Sequence, residues 1–371
     1  MRIAFDARPL LGQRTGVSVW LEGLVRGLAA DPGLRLVGCL PRRAPIGLTG
    51  LDDRVEMIAP AAPIPGTLWL HTAAAPLVAG RADVYLGTLA ILPRRLTLPS
   101  VLVVHDLTPL TRPHHHTLAN RYCFNAYFAE SLEAATAIVC VSEATRRRLE
   151  RHFPRAGAAA RVVRNAVDAF FAPDASASDA AATRARLAGG RPYVLQLGTL
   201  EPRKGIATLL DAHAALLRTL PTAPDLVLAG SRGWGGRWLQ RALARHPEPG
   251  RVHLPGYVSR DDARALMRHA EVVVLAAEEE GFGLPLAEAL ACGAVCVTSD
   301  EPALLELAGG AAEHFPRGDA AALAAALRRA LAEDGRDERR AAALKRASGL
   351  RWDEPLAAWR ELLAETAASK A

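Results

Sequence analysis

Residues 272–288 read VVVLAAEEEGFGLPLAE, and this stretch decides the fold class. The four apolar residues at 272–275 are typical of a buried strand, and the acidic, glycine-containing run that follows is typical of a turn. A helical pattern comes next and carries Glu288. A buried strand that passes through a glycine turn directly into a helix is the repeating unit of parallel α/β sheets.

The same alternation of short apolar runs and helical patterns occurs in both halves of the chain. Strand candidates in the first half lie at residues 2–5, 34–40, 84–86, 101–104 and 137–141. Strand candidates in the second half lie at residues 193–198, 226–230, 252–254, 272–275 and 294–298. Helical stretches such as 19–30 and 120–134 separate them. The pattern predicts an α/β fold with a doubly wound parallel sheet in each half.

The length of 371 residues favours two domains, because it exceeds what one ordinary core accommodates. Residues 172–190 are poor in large apolar side chains and predict a linker that leads into a helix. We expect an N-terminal domain at 1–175, a C-terminal domain at 176–350 and a closing segment at 351–371 that crosses back to the first domain. Two such sheets in series leave a cleft between the carboxyl ends of their strands.

Neither a secretion signal nor a membrane span is predicted. The first residues contain no apolar segment of signal-peptide length. The longest uncharged stretch, residues 57–80, contains several prolines and predicts a proline-rich loop with a short helix at 67–79 rather than a span. We therefore expect a cytoplasmic protein.

The excess positive charge belongs to the first half of the chain. Residues 1–170 contain 20 Arg and no Lys against 13 acidic residues, whereas the remainder is nearly neutral. This imbalance suggests an anionic partner, such as a phosphorylated acceptor or a membrane surface, and solvated arginines without a partner are the alternative. Arg147, Arg148 and Arg151 cluster on a predicted helix that Ser142 can cap, so we hypothesise peripheral contact with the inner face of a membrane.

Glu280 and Glu288 lie on either side of the glycine turn, one on the loop and one in the helix. Glycines let backbone amides approach a ligand closely, and a helix N-terminus favours an anion. Carboxylates accept hydrogen bonds from neighbouring hydroxyl groups. The two glutamates therefore suit different parts of one extended ligand that carries sugar or ribose hydroxyls.

Residues 198–205 read GTLEPRKG and directly follow another strand candidate. Arg203 and Lys204 stand between the end of that strand and the start of a helix, where two adjacent cations suit a diphosphate. Such a pair would neutralise a leaving nucleotide diphosphate without a metal ion. An ordinary basic loop is the alternative interpretation of an isolated Arg-Lys pair.

His105 follows the apolar run at 101–104, where it can hydrogen-bond a sugar hydroxyl or serve as a structural histidine. Residues 6–16 resemble a phosphate-binding turn, although the spacing of Gly12 and Gly16 does not fit the dinucleotide-binding pattern. The three histidines at 114–116 follow a proline and are interpreted as a solvated loop. Because the sequence has no Asp-x-Asp motif, we predict no metal site.

Together these segments resemble the retaining glycosyltransferases of GT-B architecture, and within them family 4. The resemblance rests on Glu280 and Glu288, on EPRKG at 201–205, and on three further segments: VHDLTPL at 104–110, VSEATRRRL at 141–149 and LAGSRGWGG at 228–236. The segments DARPL at 6–10, TGV at 15–17 and GYVSRDD at 256–262 are similar to bacterial mannosyltransferases of O-antigen and exopolysaccharide assembly.

The resemblance implies two Rossmann-like domains that face each other across the cleft. It also implies metal-independent, retaining transfer of a hexose, with mannose from GDP-mannose as the best match, to a glycan or lipid-linked acceptor in cell-surface polysaccharide biosynthesis. The nucleotide-sugar is a co-substrate, and the resemblance implies neither a cofactor nor a nucleic-acid partner.

The resemblance assigns catalytic roles to four residues. Arg203 and Lys204 would hold the donor diphosphate, Glu280 would contact the transferred sugar, and His105 would lie at that sugar. Thr199 stands where many members of the family have an arginine, so Arg203 is expected to carry that charge. The donor-binding residues that the resemblance implies are Gly16, Gly198, Tyr257, Val258, Phe282, Gly283, Leu284 and Glu288.

Two other functions remain open from the residues alone: a GT-B sugar-nucleotide epimerase, and a non-catalytic subunit that binds a sugar nucleotide. A non-catalytic subunit would be expected to have lost one of the two cations, Arg203 and Lys204, or one of the two glutamates, and all four residues are present.

A double-displacement mechanism would need a carboxylate nucleophile, and Asp6 and Asp106 are the candidates in the first domain. We expect neither to act in that way.

Overall fold

The computed structural model describes residues 1–46, 48, 54–115, 118–173, 178–233 and 237–369. The chain divides into two compact units. The first unit comprises Met1–Ala166 together with Trp352–Ala371, and the second comprises Val167–Arg351. Each unit is built around a parallel β-sheet of its own.

The sheet of the first unit has seven strands within the described residues. They are β1 (Arg2–Asp6), β2 (Arg35–Cys39), β3 (Val55–Ile58), β4 (Val84–Gly87), β5 (Ser100–Val104), β6 (Ala137–Cys140) and β7 (Arg161–Val162). Their order is β3-β2-β1-β4-β5-β6-β7, and every neighbouring pair is parallel.

The sheet of the second unit has six strands in the part of the chain that the structure describes. They are β8 (Tyr193–Leu197), β9 (Asp225–Ala229), β10 (Val252–Gly256), β11 (Val272–Leu275), β12 (Cys296–Ser299) and β13 (Glu313–Phe315). Their order is β10-β9-β8-β11-β12-β13, again all parallel.

Helices occupy most of the connections between strands. Those up to residue 159 are α1 (Gly16–Ala29), α2 (Gly66–Trp69), α3 (Ala75–Val78), α4 (Thr108–Thr111), α5 (Leu118–Ala134), α6 (Glu143–His152) and α7 (Pro154–Ala159). Those that follow are α8 (Ser178–Leu187), α9 (Ile206–Thr219), α10 (Arg237–Arg245), α11 (Arg260–His269), α12 (Leu284–Ala291), α13 (Pro302–Ala308), α14 (Ala320–Ala330), α15 (Arg336–Ser348) and α16 (Asp353–Ala368).

The predicted fold class is confirmed, since each strand candidate corresponds to a strand of a doubly wound parallel sheet. Three strands, β3, β7 and β13, were not predicted. All three lie at the edge of a sheet and are only partly buried. Because an edge strand is covered less completely than a central one, it needs no continuous apolar run; β3 contains Glu56, and β13 begins with Glu313.

Each strand order reverses at one point, between β1 and β4 in the first sheet and between β8 and β11 in the second. The chain leaves the two strands at such a point towards opposite faces of the sheet, which opens a crevice at their carboxyl ends. In the second sheet, the loop at 198–205 follows β8 and the loop at 276–283 follows β11. The fold therefore brings these two loops together.

The C-terminal helix α16 packs on α1 inside the first unit. Trp359 is fully buried. A Cβ at Gly23 would lie 2.4 Å from the ring of Trp352, and a Cβ at Gly27 would lie 2.4 Å from Leu356. The two glycines are one turn apart on α1, so they form a flat surface against which the C-terminal segment rests.

The uncharged stretch at 57–80 forms the short helix that was predicted, with one interruption. A π-helical turn, Leu70–Ala74, separates α2 from α3. Pro76 lies just beyond it and supplies no N–H to the helix, which accounts for the local widening. Within the described residues, no helix is both long enough and apolar enough to cross a membrane.

Ser142 caps α6 as predicted, but one of the three arginines predicted to cluster on this helix is not exposed. Arg148 is buried, with 8% of its surface exposed. Nε of Arg147 donates to Glu143 at 3.2 Å. Arg148 therefore does not belong to an exposed cluster, whereas Arg147 and Arg151 are exposed. Contact of this unit with a membrane stays a prediction.

The loop at 198–205 requires a glycine where it passes the end of β11. Gly205 has a φ of +66°, in the left-handed region that side chains disfavour. A Cβ at this position would lie 1.9 Å from the backbone oxygen of Ala276. Gly205 also joins the 3₁₀ turn Pro202–Lys204 to α9. The close approach of two backbones therefore holds this turn against the loop that follows β11.

Replacement of Gly205 by alanine is expected to destabilise the protein by roughly 3 kcal/mol or more, because it adds a backbone clash to an unfavourable φ. Gly190→Ala is the matched control, since Gly190 also has a positive φ of +81° but nothing lies within 4 Å of its added Cβ. The control should lose only about 1 kcal/mol. Urea unfolding of both variants tests this, and equal losses would contradict it.

Candidate active site

The candidate site lies at the switch point of the second sheet, where β8 and β11 end side by side. Val194 pairs with Val272, and Leu195 pairs with Val273, so the two strands run in register. Because they are parallel, their carboxyl ends meet at the same edge of the sheet. The two loops with the strongest sequence motifs are therefore neighbours.

An ion-pair network joins the two loops. Nζ of Lys204 donates to Oε1 of Glu280. Nη1 of Arg203 lies 3.9 Å from Oε2 of Glu280 and 3.5 Å from the backbone oxygen of Glu279. Nε of Arg203 donates to Oε2 of Glu201 at 2.8 Å. The carboxylate of Glu280 thus faces both cations. The carboxylate of Glu201, which the sequence did not single out, orients Arg203.

The charged side chains of this network are largely removed from solvent. The exposed fractions are 17% for Arg203, 13% for Lys204 and 9% for Glu280. Charges in such surroundings are screened less than charges at the surface. Phosphate oxygens accept from the same donors as carboxylate oxygens, so an entering diphosphate can replace carboxylate contacts on the two cations.

The glycine turn after Glu280 leads into the N-terminus of α12. Gly283 precedes the helix with a φ of +94°, and a Cβ there would lie 2.6 Å from Leu304. The side chains of Phe282 and Leu284 are buried and anchor the turn in the core. The first N–H groups of a helix have no partner within it and carry partial positive charge. This turn can therefore bind an anion or a sugar oxygen through its backbone.

The other predicted donor-binding residues of this unit are spread along the same edge of the sheet. Gly198 follows β8, and its amide donates to the backbone oxygen of Ala229 at 2.9 Å. Glu288 is half-buried in α12, whereas Tyr257 and Val258 follow β10. Since neighbouring strands are about 4.8 Å apart, the loop after β10 begins roughly 10 Å from the end of β8. This spacing suits an extended ligand.

His105 and Gly16 belong to the first unit. Nε2 of His105 lies 3.0 Å from the backbone oxygen of Thr88, so Nε2 carries the proton and Nδ1 is an acceptor. Burial lowers the pKa of His105 to about 4. The ring of Trp20 packs edge-on against it, with the centroids 4.6 Å apart. His105 is therefore a neutral ring near pH 7 that can accept a hydrogen bond.

The carboxylates at the edge of the first sheet hold turns. Nε of Arg8 donates to Asp6 at 2.9 Å and Nη2 at 2.6 Å, and the side chain of Asp6 is fully buried. Asp106 accepts from the amide of Thr108 at 3.0 Å, at the start of α4. Gly16 is the first residue of α1. Asp6 thus holds Arg8 in the turn after β1.

No group of three or more His, Cys, Asp or Glu side chains in the described part of the chain is arranged to hold a metal ion. Among the three consecutive histidines, His114 is exposed. His116 and the side chain of His115 lie outside the described residues, as do residues 174–177 of the linker and 234–236 of the LAGSRGWGG segment. Metal-independent activity stays a prediction.

Sequence reasoning missed two residues that order the strand ends. Oγ1 of Thr88 donates to the backbone oxygen of Asp6 at 2.7 Å, while the carbonyl of Thr88 holds His105. Oγ of Ser299 donates to the backbone oxygen of Ala277 at 2.6 Å and fastens the loop after β11 to β12. Both are small polar residues at the end of a buried strand. The sequence could have predicted their place at the end of a strand, but it could not predict which residues of other strands they bond.

Two family profiles match the chain. Residues 15–171 match the profile described as Glycosyltransferase Family 4, and residues 177–348 match Glycosyl transferases group 1. The chain is also similar to the O-antigen chain mannosyltransferase B of Escherichia coli, with 30% identity over 271 residues. This match covers 73% of the chain and 71% of that protein.

Solved structures with the same fold cover the whole chain. The Anabaena protein HepE in complex with UDP-glucose matches with a TM-score of 0.76 and 22% identity over 100% of both chains. Sucrose-phosphate synthase from Thermosynechococcus elongatus matches with a TM-score of 0.80 and 20% identity, also over 100% of both. At these identities the likeness concerns the fold, and it confirms the predicted GT-B class.

Lys204→Met is expected to destabilise the protein by about 2 kcal/mol, because it leaves the buried carboxylate of Glu280 without its ammonium partner. Glu280→Gln combined with Lys204→Met should lose less than the sum of the single changes. Urea unfolding of the four proteins in this cycle measures the coupling. Additive losses would show that the pair contributes nothing to stability.

Proposed function

Because the chain belongs to the group 1 glycosyltransferases of family 4, we propose that it transfers a hexose from a nucleotide-diphosphate sugar with retention of the anomeric configuration. The preferred donor in this proposal is GDP-mannose, and the acceptor is a glycan or a lipid-linked sugar of cell-surface polysaccharide biosynthesis. The similarity to an O-antigen mannosyltransferase supports the choice of mannose and of this acceptor class.

The observation that carries the proposal is the pair of cations at the switch point of the second sheet. When the glycosidic bond to the donor breaks, negative charge develops on the departing diphosphate. Arg203 and Lys204 are held in place before the ligand arrives by Glu201 and Glu280. Donors that are already oriented need little reorganisation as the charge develops, which lowers the barrier. In this proposal the cations act without a metal ion or a cofactor.

The remaining donor contacts follow from the order of the strand ends. Tyr257 and Val258 would meet the base, and Glu288 would accept from the ribose hydroxyls. The backbone of Phe282, Gly283 and Leu284 would meet the sugar and the distal phosphate. Gly198 would allow the diphosphate to approach the end of β8, and Gly16 would approach it from the first unit. The positive end of α12 and the hydrogen-bonding capacity of Glu288 support these assignments.

His105 has a positioning role in the proposed reaction. With its pKa lowered to about 4, the ring is neutral near pH 7, so it does not act as a proton donor in the reaction. Its Nδ1 can accept a hydrogen bond from a sugar hydroxyl, because Thr88 fixes the proton on Nε2. His105 and Glu280 would orient the sugar without bonding to it covalently.

Retention is proposed to occur without a glycosyl-enzyme. A double displacement would need a carboxylate free to attack the anomeric carbon. Asp6 is engaged by Arg8, and Asp106 holds the start of α4. In the proposed step, an acceptor hydroxyl attacks the anomeric carbon from the side of the leaving group. The bond to the donor phosphate breaks, and the departing phosphate oxygen takes the proton of the hydroxyl.

The first test measures nucleotide release from a panel of donors, including GDP-mannose and UDP-glucose, with and without a lipid-linked acceptor. Arg203→Ala and Lys204→Ala should each lower kcat/KM by roughly a hundredfold or more. Arg218→Ala removes an exposed arginine from α9 and is the control. Excess chelator should leave turnover unchanged. Near-normal kinetics in both Arg203→Ala and Lys204→Ala would exclude the proposed role of the two cations. Donor binding without turnover would favour a non-catalytic subunit.

The second test concerns the mechanism. We expect the product to keep the anomeric configuration of the donor, and we expect mass spectrometry with a fluorinated donor to find no sugar adduct on the protein. A stable adduct on Asp6, Asp106 or Glu280 would overturn the proposed step. An inverted product would overturn the assignment of retention itself, and interconversion of the free donor without transfer would favour an epimerase.

A further inference from the structure

The ring of His105 has one hydrogen bond within the part of the chain that the structure describes, from Nε2 to the backbone oxygen of Thr88 at 3.0 Å. A single hydrogen bond fixes the position of Nε2, but it allows the ring to turn about the line that joins donor and acceptor. The direction of Nδ1, the acceptor that the ring offers to a sugar hydroxyl, therefore needs a second restraint.

Trp20 of α1 supplies this second restraint. The ring centroids of Trp20 and His105 lie 4.6 Å apart, and the two ring planes are 76° to one another. Such an edge-to-face contact is a preferred arrangement of aromatic rings, and the large indole leaves the imidazole no room to turn. Because Trp20 is only 1% exposed, it also keeps water away from this side of the ring.

Packing holds Trp20 in its place. Its Nε1 is buried and has no hydrogen-bond partner among the described residues. The ring of Trp359 in α16 lies 6.0 Å from that of Trp20 between centroids, with the planes tilted by 55°. Nε1 of Trp359 is buried without such a partner as well. The orientation of Trp20 therefore depends on where α16 places Trp359.

The helix α16 is fastened to the rest of the first unit on both sides of Trp359. Nη2 of Arg360 donates to the backbone oxygen of Gly27 in α1 at 3.0 Å. Further along the helix, Nη1 of Arg161 donates to Glu365 at 2.6 Å. Before Trp359, the C-terminal segment rests on the flat glycine surface of α1. These contacts fix the position of Trp359 along α1.

We infer that Trp20, and through it Trp359 of α16, are positioning residues for His105 that fix the plane of its ring and the direction in which Nδ1 accepts a hydrogen bond. The inference rests on the proposed function, which supplies the sugar hydroxyl that Nδ1 would meet. It gives α16 a part in the reaction, although this helix acts only through two other side chains.

The same packing keeps His105 neutral. Burial lowers the pKa of His105 to about 4, against the opposite effect of the neighbouring carboxylate of Asp106. The other groups that face this residue carry no charge: they are the indole of Trp20, the carbonyl of Thr88 and the hydroxyl of Thr145, which donates to the backbone oxygen of His105 at 3.5 Å. Removal of Trp20 would admit water, so the pKa of His105 should rise towards about 6.5.

The first measurement needs no donor. Magnetic resonance of the full chain with isotope-labelled histidine follows the protonation of His105, whose signal is assigned through its loss in His105→Gln. In the wild type the ring should stay neutral, with its proton on Nε2, from pH 8 down to about pH 5. In Trp20→Ala the midpoint should move to roughly pH 5.5–6.5, and Trp359→Ala should shift it in the same direction. Trp20→Phe keeps an aromatic ring and should resemble the wild type.

Leu28→Ala is the matched control, because Leu28 is buried in the same helix about 12 Å beyond Trp20. It should lose stability but leave the titration of His105 unchanged. Trp20→Leu opens part of the same space and decides the question if Trp20→Ala fails to fold. A wild-type titration in the folded Trp20 variant, or an equal shift in Leu28→Ala, would overturn the inference. A wild-type titration in Trp359→Ala would overturn the part that concerns α16.

Kinetics with the donor then connect the contact to the reaction. Trp20→Ala should lower kcat by about tenfold or more and change the donor KM by less than about threefold, because other residues bind the diphosphate and the base. Since a protonated ring has no acceptor nitrogen, kcat/KM of this variant should fall below about pH 6, unlike that of the wild type and Trp20→Phe.

The two measurements separate this inference from the proposed function. A wild type that transfers no sugar would refute the proposed function, while the titration of His105 would still decide whether the two tryptophans hold its ring. An unchanged kcat in Trp20→Ala, together with an active wild type, would overturn the positioning role.

Discussion

The candidate site depends on one topological constraint, the reversal of strand order between β8 and β11. The reversal makes two loops neighbours although they are far apart along the chain. The ion pair between Lys204 and Glu280 spans 76 residues and exists only because of this arrangement. Gly205 allows the two loops to lie close enough for this ion pair, since no side chain fits between its backbone and the backbone oxygen of Ala276. The remaining features of the second unit place backbone amides and carboxylates around that pair.

The network of Arg203, Lys204, Glu201 and Glu280 couples stability to function. Its charges are too deeply placed to be solvated fully by water, so each must be paired in the absence of ligand. The same pairing keeps the two cations oriented for an anion. A ligand diphosphate then exchanges one set of acceptors for another, and the loops are already in position. The need to pair these charges before the ligand binds explains why acidic residues lie beside the cations at a site proposed to bind phosphate.

The first unit repeats the topology of the second with different side chains at its strand ends. Its switch point holds Asp6 and Thr88 in hydrogen bonds that lock the turn after β1, and the same threonine fixes the tautomer of His105. The flanking helices α2 and α5 expose apolar and basic residues to solvent. Among the described residues of the second unit, the most exposed large apolar side chains after Tyr257 are Leu305 and Leu344, at 39% and 36%. The two similar folds therefore present different surfaces.

The sequence by itself determined the parallel α/β class, the central strands and the loops that carry Arg203, Lys204, Glu280 and His105. Burial in a central strand requires an uninterrupted apolar run, and a turn into a helix requires glycine, so both leave a local trace. The edge strands β3, β7 and β13 left no such trace because they are only partly buried. Tertiary structure alone decided the strand order, the contact of Lys204 with Glu280, the tautomer of His105 and the burial of Arg148. Each of these depends on residues that are distant in sequence, and periodicity records only whether a position is buried, not which residue covers it.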